Sequence, residues 1–188
     1  QTHHRQTLVG TRLLKSHRFE RGTTCIPIGR SRPSGSSRNR AGPFACKTTL
    51  AECMLFEAGI TKRRGTVAAK NTVSDYHELE TERQSSVFAS LLHIPWRNYK
   101  INIIDTPGYD DFVGEVLASL RVADTGVMLL NAVMGVEVGT DIIWEYTEAF
   151  KTPMIFAINK LDHDNADYDK TLRDAKAHFG NQVVAVQY

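Results

Sequence analysis

The chain is poor in cysteine, has no long apolar run, and over residues 1–46 has almost no acid. Only Cys25, Cys46 and Cys53 occur among its 188 residues. An odd number without metal-ligand spacing excludes a disulfide framework and a zinc site, and it fits a reducing compartment such as the cytoplasm. No stretch approaches the roughly 18 consecutive apolar residues of a membrane span. No apolar core of a secretory signal stands near the start. The expectation is a cytoplasmic protein with no disulfides and no membrane association.

The shortage of acid splits the chain. Residues 1–46 hold nine Lys or Arg and the single acid Glu20, a charge of +8; the whole chain carries +2, which leaves 2 − 8 = −6 for the remainder. The first segment also lacks a helical or strand period, and Ser31 to Gly42 is rich in Ser, Arg, Gly and Pro. Residues 1–46 therefore read as a basic segment, disordered or translated in a shifted frame, with possible RNA contact through its cations. Residues 47–188 read as one partial domain, and the chain is long enough for a sizeable core.

From Lys47 onward, strands alternate with helices. Thr48 to Ala58 has helix formers and is stopped by Gly59. Residues 61–85 read as a long exposed loop. Val87 to Leu92 and Lys100 to Ile104 read as strands, with His93 to Asn98 as their connection because of Pro95 and Trp96. Helices follow at Phe112 to Val122, Val138 to Phe150 and Ala166 to Phe179. Strands follow at Thr125 to Leu130, Pro153 to Asn159 and Val183 to Val186. This order predicts an α/β fold with a mostly parallel sheet and helices on both faces, whose ligand sits beyond the carboxyl ends of the strands. No apolar strand is legible before Lys47, so the first strand of such a sheet is missing or unrecognisable.

Three motifs carry chemistry. Asp105-Thr106-Pro107-Gly108 ends an apolar strand. A carboxylate there can hold Mg²⁺ through water, and a glycine lets a backbone N–H approach a γ-phosphate. An ordinary turn would use the same residue types. Asn159-Lys160-Leu161-Asp162 also ends an apolar strand. An Asp carboxylate can accept from the N1–H and N2–H₂ edge of guanine, which adenine lacks. Asn159 can bond the purine or its loop, and the Lys160 stem can lie along the base. A polar strand end is the plain alternative. Lys47-Thr48-Thr49 opens a helix, as the last part of the phosphate loop G-x-x-x-x-G-K-[ST] does, with an anion favoured at the helix start. The two glycine positions of that loop hold Ala41 and Cys46.

These residues resemble the GTPase domain of bacterial elongation factor G, and most closely its divergent paralogues. The matching text includes Asn71 to Tyr76, Asp105 to Val116, Arg121 to Asp124, Gly135 to Thr140 and Asn159 to Asp162. The resemblance covers Lys47 to Tyr188 and implies a P-loop NTPase-type fold, GTP/GDP and Mg²⁺ as cofactors, and the ribosome as partner. It implies catalytic roles for Lys47, Asp105 and Gly108, and metal contacts for Thr48, Ser86 and Asp105. Lys47, Thr48, Thr49, Asp105, Gly108, Asn159, Lys160 and Asp162 would bind nucleotide. Ser86 takes the place of a switch-loop hydroxyl, and Gln84 stands where the family has glycine. Tyr109 stands where typical members have a histidine that positions water. The family's last guanine loop has no counterpart before Tyr188.

The resemblance implies a GTP-binding and GTP-hydrolysing fragment of a translation factor. The alternative is a non-binding remnant of that domain, because the phosphate loop lacks both glycines. Gly42 to Cys46 can be encoded by a string that, read one base further on, gives Gly-His-Ser-His-Ala, which has the family's loop form. Such a shift would account for the missing strand, the missing glycines and the change of charge together.

Overall fold

The computed structural model describes residues 7–11, 22–26 and 46–187. Its elements are β1 (Thr7–Thr11), β2 (Gly22–Ile26), α1 (Cys46–Glu57), α2 (Glu78–Arg83), β3 (Ser90–Trp96), β4 (Tyr99–Asp105), α3 (Val113–Val122), β5 (Thr125–Asn131), α4 (Val138–Phe150), β6 (Met154–Asn159), α5 (Tyr168–Phe179) and β7 (Val183–Ala185), with a short 3₁₀ turn, Asp110–Phe112, before α3.

β5 organises the packing. All of Thr125 to Leu130 is buried, so the strand is apolar on both faces, as a central parallel strand must be. Successive side chains leave opposite faces. Met128 and Leu130 join Val116, Leu120, Ile143, Phe156 and Phe179 under α3, α4 and α5. Val127 and Leu129 join Leu50, Leu55, Ile103 and Ala157 under α1. The expected α/β sheet with helices on both faces is what the structure shows. On the broader face the Phe156 and Phe179 rings stack with centroids 4.8 Å apart, and Trp144 lies 4.7 Å from Phe179. Such contacts add to the area each ring buries. Between β5 and β6 the fit is close: a side chain at Gly126 would collide with the Met154 sulfur.

The sheet order is β3-β4-β2-β5-β6-β1-β7. β4, β2, β5 and β6 are parallel neighbours; β3 is antiparallel to β4, and β1 is antiparallel to β6 and β7. Two strands thus lie before Lys47, where the sequence pattern shows none. Gly22–Ile26 pairs with β4 from Ile101 to Asp105 and with β5 at Thr125 and Gly126, filling the central slot whose strand was expected to be missing or unrecognisable. A five-residue segment is too short to declare a period, and the open edges of β4 and β5 supply hydrogen-bond partners that sequence pattern does not record. The Ser31 to Gly42 stretch and the phosphate-loop positions Ala41 and Gly42 lie outside the described residues.

Two further differences bear on the site. β3 runs through Pro95 to Trp96 and the turn shrinks to Arg97 and Asn98, with Arg97 in the left-handed region at φ +53°. Pro95 is tolerated because β3 is an edge strand. Residues 61–85, expected to be loop throughout, contain α2. Its six residues are too few to show an amphipathic period, and its start is fixed by capping. His77 accepts from Leu79 N–H, and the Glu80 carboxylate returns to His77 N–H, a reciprocal capping box.

Candidate functional site: a buried carboxylate corner and a guanine-type loop

The site begins at the start of α1, which presents Lys47 and Thr48 inward, both buried, and Thr49 outward. Thr48 Oγ1 donates to Asp105 Oδ2 at 3.1 Å, tying the helix start to the carboxyl end of β4. The Thr48 and Ser86 hydroxyl oxygens lie 3.4 Å apart. Ser86 Oγ donates to Asp75 Oδ1 at 2.6 Å, and Thr72 Oγ1 reaches Asp75 Oδ2 at 3.4 Å. The chain Asp105–Thr48–Ser86–Asp75 thus joins four separate segments. Lys47, Thr48, Asp75, Gln84, Ser85, Ser86, Gly108 and Tyr109 share in lining one cavity of about 20 Å³.

The electrostatics of this corner suit a cation. Asp105 is 1% exposed, and its Oδ1 has no well-aligned hydrogen-bond partner, although the Ser74 hydroxyl is near enough to favour its charged form. Burial pushes its carboxyl up to about 6, against the opposing pull of the Lys47 charge and the Thr48 hydrogen bond. Burial also raises the Asp75 carboxyl, opposed by its bond from Ser86. Two buried carboxylates face one ammonium, and a poorly bonded buried carboxylate oxygen is costly unless something binds it. Hard oxygen donors from Thr48, Ser86, Asp75 and Asp105 are the donor set Mg²⁺ takes. The residues present therefore fit the ion.

Asp75 was not among the residues singled out from sequence. It stands in the Asn71 to Tyr76 stretch of the resemblance, but nothing local shows that the loop folds back onto α1. The fold-back is held by Glu52, a fully buried residue of α1. Its carboxylate accepts from Gly65 N–H at 3.1 Å and Val73 N–H at 2.5 Å. A Cβ at Gly65 would strike this carboxylate, so glycine is required there. Gly108 and Tyr109 also line a second cavity of about 110 Å³, walled by Pro107, Val113, Val116, Gly139, Ile142 and Ile143.

The other motif sits at the carboxyl end of β6. Asn159 pairs in register with Asn131 of β5, and its carbonyl accepts from Ala132 N–H at 2.9 Å. Its side-chain Oδ1 accepts from Lys160 N–H at 2.8 Å, which holds Lys160 at φ +63°. The chain then turns, with His163 N–H on the Lys160 carbonyl, and Asp162 is exposed on that turn. Glu137 leans toward this loop; burial raises its carboxyl and the Lys160 charge opposes the rise. Asn159, Lys160 and Asp162 do not line the carboxylate corner. Both sets lie at the carboxyl ends of parallel strands of one sheet, where α/β sheets place ligands.

The sequence pattern described as the elongation factor Tu GTP binding domain matches residues 45–187. The chain belongs to this family. A relative from Debaryomyces hansenii, called ribosome-releasing factor 2, mitochondrial, is 44% identical over 140 residues, which cover 74% of this chain and 16% of that protein. The protein of the same name in Scheffersomyces stipitis is 40% identical over 167 residues, 89% of this chain and 19% of the relative. A crystal structure of a Thermus thermophilus protein superposes with a TM-score of 0.74 at 29% identity, covering 86% of this chain and 22% of that one. The chain spans a fifth or less of the length of these curated relatives. It carries a GTP-binding domain of the elongation factor G-like translation factors, so guanine nucleotide is its ligand class. Among the described residues Cys53 is a free thiol, and no helix is long and apolar enough to cross a membrane.

Proposed function

We propose that this GTP-binding domain binds GTP and GDP with Mg²⁺ and belongs to a factor that acts at the ribosome and hydrolyses GTP there. The observation that carries the reading is the buried Asp105 Oδ1, without a well-aligned partner, beside the Thr48 and Ser86 hydroxyls. Lys47 contacts the β- and γ-phosphates; Thr49 and the start of α1 support them. Thr48, Ser86 and Asp105 hold the ion, with Asp75 completing its oxygen surroundings. Gly108 offers its N–H to the γ-phosphate. Asp162 reads the guanine edge, Asn159 fixes the loop or the purine, and the Lys160 stem covers the base. Bound Mg²⁺ supplies charge neutralisation at the phosphates. Tyr109 stands beside Gly108, where a histidine would position water.

The curated relatives are named as mitochondrial ribosome-releasing factors. A ribosome-releasing role for the whole protein follows by likeness, in the compartment of the ribosome it serves. The cysteine pattern favours a reducing one, cytoplasm or mitochondrial matrix, and cell fractionation decides between them. The basic residues 1–46 contribute RNA contact. Replacing Arg30, Arg32, Arg38 and Arg40 with Gln should weaken RNA binding and flatten its salt dependence, and an unchanged slope would discard this part.

The central test is equilibrium binding of fluorescent GDP and GTP with Mg²⁺ and with a chelator. Affinity in the micromolar range or tighter, weakened by the chelator, is expected. No binding at millimolar nucleotide would instead establish the remnant reading, which Ala41 and Cys46 at the glycine positions favour.

A further inference from the structure

Glu80 is buried to 1% exposure, and its bonds surround a single residue. Its backbone carbonyl accepts from Gln84 N–H and from Ser85 N–H, the latter at 3.2 Å. Its Oε1 accepts from Val87 N–H at 2.9 Å and Phe88 N–H at 3.0 Å. Its Oε2 accepts from His77 N–H at 3.3 Å. The amides on both sides of Ser86, two before it and two after it, therefore end on one residue. Ser86 itself is left to point its hydroxyl at Asp75 and toward Thr48.

A helix cap alone does not require this arrangement. The capping box uses only Oε2, and an exposed Glu could supply it. Burying the whole carboxylate is costly unless its oxygens are bonded, and here Oε1 is bonded to the two residues that follow Ser86. With their N–H groups on Glu80, Val87 and Phe88 lie outside β3, which begins at Ser90. On the other side, Gln84 takes the left-handed conformation, φ +54° and ψ +38°, so that the chain can turn back over Glu80.

We propose that Glu80 is a positioning residue for the Ser86 hydroxyl, and through it for Mg²⁺-dependent nucleotide binding. Glu80 does not line the corner cavity, so it would act through Ser86 and not by touching nucleotide or ion. The inference rests on the reading of Ser86 as a metal-contacting hydroxyl.

The test measures, on the full chain, the Mg²⁺ concentration that half-saturates tight binding of a fluorescent GTP analogue. Glu80→Leu should raise it roughly 10-fold or more, as loss of a residue that orients a metal ligand does, with little change in the affinity measured in chelator. Glu80→Gln keeps an acceptor for Val87 and Phe88 and loses only the His77 bond, so a shift of roughly threefold at most is expected. His77→Ala removes the side-chain cap and the ring contact with Phe88 but leaves every Glu80 bond in place, and should leave the Mg²⁺ requirement unchanged. Ser86→Ala should match Glu80→Leu. If Ser86→Ala shifts the requirement and Glu80→Leu does not, the role of Glu80 is overturned. If Ser86→Ala itself does nothing, the metal reading of Ser86 fails and this proposal falls with it. Should Glu80→Leu not fold, Glu80→Asp takes its place, with amide hydrogen exchange at Val87 and Phe88 as a second readout. Faster exchange accompanied by a raised Mg²⁺ requirement supports the proposal; faster exchange without it overturns the proposal.

Discussion

The two ends of the site are built in opposite ways. The guanine-type loop is one stretch of chain, Asn159 to Asp162, held by a local hydrogen bond, with Asp162 exposed and the other three residues half-buried. The carboxylate corner brings α1, the Asp75 loop, Ser86 and the end of β4 together, and apart from the Thr72–Asp75 bond its polar contacts cross between segments. A local motif keeps its shape if the rest of the domain loosens. A corner made of four segments exists only while the fold holds them together. Changes at the loop should therefore alter which base is bound, and changes at the corner should alter whether phosphate and ion are bound at all.

Substitutions can break this contrast. Lys47→Ala should have the largest effect. It removes the ammonium facing both carboxylates, and GTP and GDP affinity should fall by roughly 100-fold or more, as when one partner of a desolvated charge pair is lost. Titration calorimetry would show it, and near-normal affinity would remove Lys47 from the site. Asp162→Ala should cost roughly 100-fold for GTP while weak ATP binding stays as it was, because only guanine loses its acceptor. Equal losses for both nucleotides would mean that the loop does not read the base.

Asp105→Asn separates binding from stability. It should weaken Mg²⁺-dependent binding by roughly 10-fold or more and yet raise the melting temperature of the nucleotide-free protein at pH 7. The sign follows from the raised carboxyl. Its folded value of about 6 lies above the unfolded 3.8, so the native state takes up the proton first. Asp105's favourable contribution is complete below about 4 and is lost as pH rises through about 6. That loss amounts to about 3 kcal/mol at neutral pH. Melting curves between pH 4 and 7 should slope less in Asp105→Asn than in the parent; parallel curves would refute the assignment. The smallest effect should come from Thr49→Ala. Its side chain is exposed on α1, and nucleotide affinity should change by no more than about threefold.

What could be read from the sequence follows the same divide. The strand-borne motifs at Asp105 and Asn159, and the Lys47-Thr48 helix start, are contiguous, so residue type and spacing display them directly. β5 and β6 announce themselves by unbroken apolar runs. Asp75, Glu52 and Glu80 were silent because their partners, hydroxyls for Asp75 and loop amides for Glu52 and Glu80, are placed by the path of the loop and not by a sequence period, and a buried acid looks like a solvated one until its partners are placed. α2 was silent because capping rather than period makes it. β1 and β2 were silent because their sheet neighbours, not their composition, select their conformation.

The contact of Gly126 with the Met154 sulfur has a chemical consequence. Met154 is 2% exposed and occupies the space that a side chain at 126 would need. Met154 also borders a cavity of about 420 Å³ walled by Trp144, Pro153 and Gln182, and a polar sulfoxide formed there would no longer suit the apolar space beside Gly126. An oxygen added at this sulfur would wedge against Gly126 and loosen the β5–β6 seam at the middle of the sheet until the sulfoxide is reduced.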